Sequence, residues 1–94
     1  MAGFAASSEW ASGYLVRVHP GGGGPGDPYV ASLFAVPDGT TAEVRGLVVR
    51  GLSLREFAEA TRAVEGHLRG LGFRKMRYER RMPDGKIVWR EKDL

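Results

Sequence analysis

The sequence predicts an α+β domain, an antiparallel sheet of about five strands in the order β-β-β-α-β-β with one long helix packed on one face. Three observations carry that prediction. A single segment has the three- and four-residue apolar spacing of an amphipathic helix, and the segments on either side alternate or run apolar over strand-like lengths. The tripeptide Pro-Asp-Gly occurs twice, at residues 37–39 and 83–85, each time between two strand-like segments. At 94 residues, 43% hydrophobic and 27% charged, the chain has the length and composition of one folded domain.

Residues 1–13 have no clean period and read as a loose N-terminal arm, with Phe4 and Trp10 able to dock it; residues 14–94 form the domain. Residues 14–19 alternate as a half-buried strand, with Tyr14, Val16 and Val18 on one side and Leu15, Arg17 and His19 on the other. Residues 20–28 are a glycine-rich loop. Residues 29–36 are a mostly apolar run bounded by prolines, the second strand, and residues 40–49 are the third. Between them Pro37 presets a turn and Gly39 takes the left-handed position of a three-residue hairpin loop. Pairing Val36 with Thr40 then puts Phe34, Ser32 and Val30 on one surface with Ala42, Val44 and Gly46, the expected core face.

Ser53 and Glu56 form a capping box, with Leu52 and Phe57 at the positions of a hydrophobic staple. Leu54, Phe57, Thr61, Val64, Leu68 and Leu71 fall on one stripe of a helix of about five turns. The other face is charged, and Arg55/Glu59 and Glu65/Arg69 are spaced to pair. Gly72 is the expected C-cap, with Phe73 folding back on Leu68. Residues 74–82 and 86–92 make a second hairpin around Pro83-Asp84-Gly85. Pairing Met82 with Lys86 places Met76, Tyr78 and Val88 on one face and Arg77, Arg81, Ile87 and Trp89 on the other. The expected core is Leu54, Phe57, Val64 and Leu68 against Val30, Phe34, Val44 and Val48.

Chemistry is sparse. Without cysteine there is no disulfide, thiolate metal site or thiol nucleophile. His19 and His67 stand far apart in the chain, with no metal-ligand spacing and no activated serine beside them, so the expectation is no metal and no catalytic residue. The glycine-rich loop leads into a strand, whereas a phosphate cradle leads into a helix. No apolar run is long enough to span a membrane, and residues 1–12 lack the pattern of an export signal; the expected compartment is the cytoplasm.

Charge is uneven. Residues 1–48 hold 2 basic and 4 acidic groups, residues 49–94 hold 12 and 7. Arg74, Lys75, Arg77, Arg80 and Arg81 cluster on one strand, but alternation divides them between two faces. Nucleic-acid binding is therefore expected to be weak and salt-sensitive at most. If the Met76/Tyr78 face packs on the helix, Arg77, Arg81, Ile87 and Trp89 are left as an interaction patch.

Residues 44–89 run from a strand through RGLVVRGLSLREF and EGHLRGLGFRKMRYERR to PDGKIVW. This stretch resembles the β-α-β centre of the GNAT acetyltransferase superfamily, in particular short, phage-encoded proteins of that fold. In that family the loop entering the helix binds the CoA pyrophosphate through Arg/Gln-x-x-Gly-x-Gly/Ala. Here the loop reads Val49-Arg50-Gly51-Leu52-Ser53-Leu54, with Leu52 and Leu54 where the small residues would stand. The leading expectation is a non-catalytic interaction or assembly protein of degenerate GNAT-like fold, without cofactor, acting as a homodimer or on another protein partner. The alternative is a small acyl-CoA-dependent N-acetyltransferase, for which the resemblance implies cofactor binding at Gly51, Leu52 and Ser53. The second alternative is a weak nucleic-acid-binding protein.

Overall fold

The computed structural model describes residues 3–94; Met1 and Ala2, the start of the expected arm, lie outside the described residues. The elements are β1 (Phe4–Trp10), β2 (Tyr14–Pro20), β3 (Ala31–Asp38), β4 (Thr41–Val49), α1 (Leu54–Gly70), β5 (Lys75–Arg81) and β6 (Ile87–Asp93). They build an α+β domain with one helix and one open sheet whose six strands stand in chain order. Four neighbouring pairs are antiparallel, while β4 and β5 are parallel. The expected all-antiparallel sheet is corrected at that pair. A helix crossing from the end of β4 returns the chain to the starting edge, so the next strand runs the same way as the last.

Part of the expected arm is a strand. The alanines and serines of β1 have little strand propensity, which hid it from the sequence, but Phe4, Ala6 and Ser8 still alternate toward the helix side of the sheet. The ladder to β2 runs from Phe4 opposite Pro20 to Trp10 opposite Tyr14. Ser12 (φ 60°) and Gly13 turn the chain between the two strands, and a side chain at Gly13 would collide with the Phe34 ring.

The first Pro-Asp-Gly turn is one residue tighter than expected. Asp38 pairs with Thr41, and Gly39 (φ 59°) takes the first of two turn positions, as in a II′ hairpin. Val36 stands opposite Glu43 where Thr40 was expected, a shift of three residues, and an odd shift exchanges the faces of a strand. Ala31, Leu33 and Ala35, not Val30, Ser32 and Phe34, share the core face with Ala42 and Val44, and Val48 is exposed. At Gly46 (φ 63°) β4 holds one residue more than β3, a bulge that bends the strand. The second Pro-Asp-Gly turn has the expected three-residue form. The Met82 amide donates to the Lys86 carbonyl, and Arg80, Tyr78 and Met76 stand opposite Val88, Arg90 and Lys92.

The α1 cap has both bonds of the capping box. The Glu56 amide donates to Ser53 Oγ at 3.2 Å and the Ser53 amide donates to Glu56 Oε1 at 3.1 Å. Those bonds hold the Glu56 carboxyl below its ordinary pKa, backbone donation from Ser53 first. At the other end Leu71 is the C-cap, one residue earlier than expected, and Gly72 (φ 99°) follows it. The Gly72 amide bonds to the Arg69 carbonyl and the Phe73 amide to that of Leu68, a Schellman motif. The helix lies mainly on β1 and β2. Ala60, Val64 and Leu68 are buried against Val16, Val18, Leu33 and Phe73. The expected core positions Leu54 and Phe57 are exposed, because the N-terminal half of α1 stands off the sheet.

Candidate functional site

Where α1 stands off, β4 and β5 also part. Their parallel ladder joins residues 41–44 to 75–78 and stops, although both strands continue. Between the front half of α1 and the β4–β5 half of the sheet is an open cleft of about 530 Å³. Its floor is Val18, Leu33, Val44 and Met76, and its helix wall is Phe57, Ala60 and Val64. The far side carries Leu47, Val49 and Ile87, with Glu79 and Arg81 between them. Lys92 reaches from β6 to Glu65 on α1, and this bond raises its pKa.

The hairpin residues expected to form a patch are divided. Met76 is buried on the helix side of the sheet, and Arg77 and Trp89 lie on the opposite, outer face. Trp89 is 44% exposed, with the Arg45 guanidinium 5.9 Å from its ring centre. Arg77 is turned toward Asp38 at 3.4 Å and Glu43 at 4.0 Å, so its charge is partly satisfied within the protein. Arg81 and Ile87, opposite each other at the hairpin end, reach the cleft. The structure therefore places two of the four at the cleft and two on the outer face beside Arg45.

Gly51 has a positive φ (60°) with open space around it, Leu52 lines the cleft, and Ser53 caps α1. The Ser53 amide is engaged by Glu56, which also sets a carboxylate at the helix N-terminus. That charge occupies the place where a helix end would favour an anionic ligand.

Two serine–histidine contacts were not legible in the sequence, because they join β1 to distant elements. Ser7 Oγ is 2.6 Å from His19 Nε2, and His19 Nδ1 is 3.0 Å from the Pro28 carbonyl. A carbonyl only accepts, so Nδ1 donates to the Pro28 carbonyl, and Nε2 shares its hydrogen bond with the Ser7 hydroxyl. The glycine-rich loop folds over His19 and buries it, and Arg17 stacks on Tyr29 at the loop end. On the opposite face Ser8 Oγ is 2.8 Å from His67 Nε2. Partial burial, which penalises the charged form, lowers the His67 pKa. Among the described residues no group of three or more histidine, cysteine or carboxylate side chains could hold a metal ion, and no helix is long and apolar enough to cross a membrane.

Comparison of the chain with protein-family models, with curated proteins and with solved structures found no match in any of the three.

Proposed function

We propose that the chain is a non-catalytic interaction protein that holds its partner through the cleft between α1 and the β4–β5 half of the sheet. The observation that carries this reading is an apolar stripe that runs off the core into solvent. Leu54 is 90% exposed and Phe57 41%, while Leu47 at 52% and Ile87 at 53% stand on the far side of the opening. Exposed large apolar side chains gathered at an open cleft on a small domain mark a contact surface. Sedimentation tests the version in which the partner is a second copy. Concentration-dependent association that Phe57→Asp abolishes supports it, and a strict monomer at high concentration leaves only a different protein as partner.

A second reading, a small acyl-CoA-dependent N-acetyltransferase, is favoured by the size of the cleft and by its place beside residues 51–53. Pockets of roughly 300–1,000 Å³ suit small molecules. Against it stand the engaged Ser53 amide and the Glu56 carboxylate, both where a pyrophosphate would need positive potential. Calorimetry with millimolar acetyl-CoA decides between the two. Absence of heat and of a thermal shift removes the enzyme reading, whereas saturable binding that Phe57→Asp abolishes, with acyl transfer to an amine, removes the interaction reading.

A further inference from the structure

Beyond Val44 and Tyr78 both strands of the parallel pair run on, β4 held by β3 and β5 held by β6, with no ladder between them. Each is paired on its outer side and open on its inner side. Such an edge presents free backbone N–H and C=O groups, which add a further strand readily. The bulge at Gly46 turns β4 out of line with β5 and widens the opening.

The surroundings of this opening are sided. Toward α1 it meets Phe57, Val64 and Met76; toward the outer face it meets Arg45. An extended chain sends successive side chains to opposite faces, so an occupant apolar at alternate positions fits both. Charge adds direction. Arg50, Arg80, Arg81 and Lys86 lie at the ends of the parting strands or in the turn beyond β5, and none of them makes an ion pair among the described residues. Glu79 and Asp84 offset these cations only in part.

We propose that the gap between β4 and β5 is a strand-insertion site. It takes an extended segment of a partner protein, apolar at alternate positions and acidic at the end nearest Arg50 and Arg81, which pairs its backbone with the inner edge of β4. The proposal rests on the interaction reading above and adds the chemistry of the partner. A small apolar ligand would fill the cleft but leave the strand edges open, whereas a peptide backbone satisfies both.

The test is selection on the full chain from a phage-displayed library of short peptides with fixed apolar–polar alternation, beside a library of the same composition without it. Alternating peptides with acidic residues at one end should be enriched. A synthetic copy of an enriched peptide should slow amide exchange at residues 45–49. It should lose affinity by about tenfold when its own amides are N-methylated or when the protein carries Arg81→Glu. Lack of enrichment over the non-alternating library overturns strand insertion. Binding that N-methylation leaves intact, with exchange at residues 45–49 unchanged, also overturns it while leaving the interaction reading in place. Acetyl-CoA slowing exchange at the same residues, and competing with the peptide, overturns both.

Discussion

Leu54 and Leu68 lie on the same helical stripe, and the sequence treats them alike. The structure does not: Leu68 is fully buried and Leu54 is 90% exposed. Leu68→Ala should cost about 2–5 kcal/mol, the sum of lost burial and the cavity left behind. Leu54→Ala should leave the melting temperature nearly unchanged. Equal losses in chemical denaturation would show that the whole stripe is core. His67 supplies a test by pH. Because partial burial lowers its pKa, the unfolded chain takes up a proton at a higher pH than the folded one does. Its contribution to stability is therefore complete above the ordinary histidine pKa of about 6.5 and is lost as pH falls through the folded value. Denaturant midpoints measured from pH 8 to pH 5, values on either side of roughly 6.5, should fall more steeply for the native chain than for His67→Gln. Parallel profiles would remove this role.

At the scale of elements, β1 shows how a segment of poor strand propensity is held in a sheet. Its ladder with β2 is reinforced on one face by Ser7 with His19 and on the other by Ser8 with His67. Ser7→Ala leaves the buried His19 Nε2 without a partner and should destabilise by about 1–3 kcal/mol, the range for an orphaned buried polar atom. Ser8→Ala should cost less, because His67 is only half-buried and water can replace the hydroxyl. Denaturant unfolding of the two variants checks the order, and a larger loss for Ser8→Ala would contradict it. The two Pro-Asp-Gly hairpins make a related point. The same tripeptide forms a three-residue loop between β5 and β6 and lies across a strand end and a two-residue turn between β3 and β4. Turn chemistry permits both forms. The choice falls to the strand faces, and at β3 the face with Ala31, Leu33 and Ala35 is the one buried in the core.

Across the whole molecule, charge and apolar surface are placed differently. Lys75 is paired with Glu91, and Arg77 with Asp38 and Glu43, so the basic strand offers fewer free cations than its sequence suggests. Few phosphate contacts mean shallow salt dependence and low affinity. Anisotropy titrations with single-stranded and duplex oligonucleotides at about 150 mM salt, near physiological ionic strength, should show weak binding or none. Submicromolar binding lost on Arg77→Ala or Trp89→Ala would move the functional surface from the cleft to the outer face of the hairpin.

Local patterns by themselves determined α1 and its two ends, the β5–β6 register, and the alternation of β2, because each depends on residues a few positions apart: a capping box, a Schellman glycine, a turn tripeptide, a period of two. Arg81 and Ile87, expected in a patch on the hairpin, line the cleft instead, and the cleft itself was not legible in the sequence. Tertiary structure alone decided that β1 is a strand, which face of β3 is buried, that β4 and β5 run parallel and then part, and that the front of the helical stripe stays in solvent. Each of these depends on contacts between segments distant in the chain. An apolar stripe marks which side of a helix avoids water, but only the position of the sheet beneath it decides how much of that side is covered. Leu54 is left in solvent, and at Phe57 the sheet is not close beneath the helix and the cleft opens.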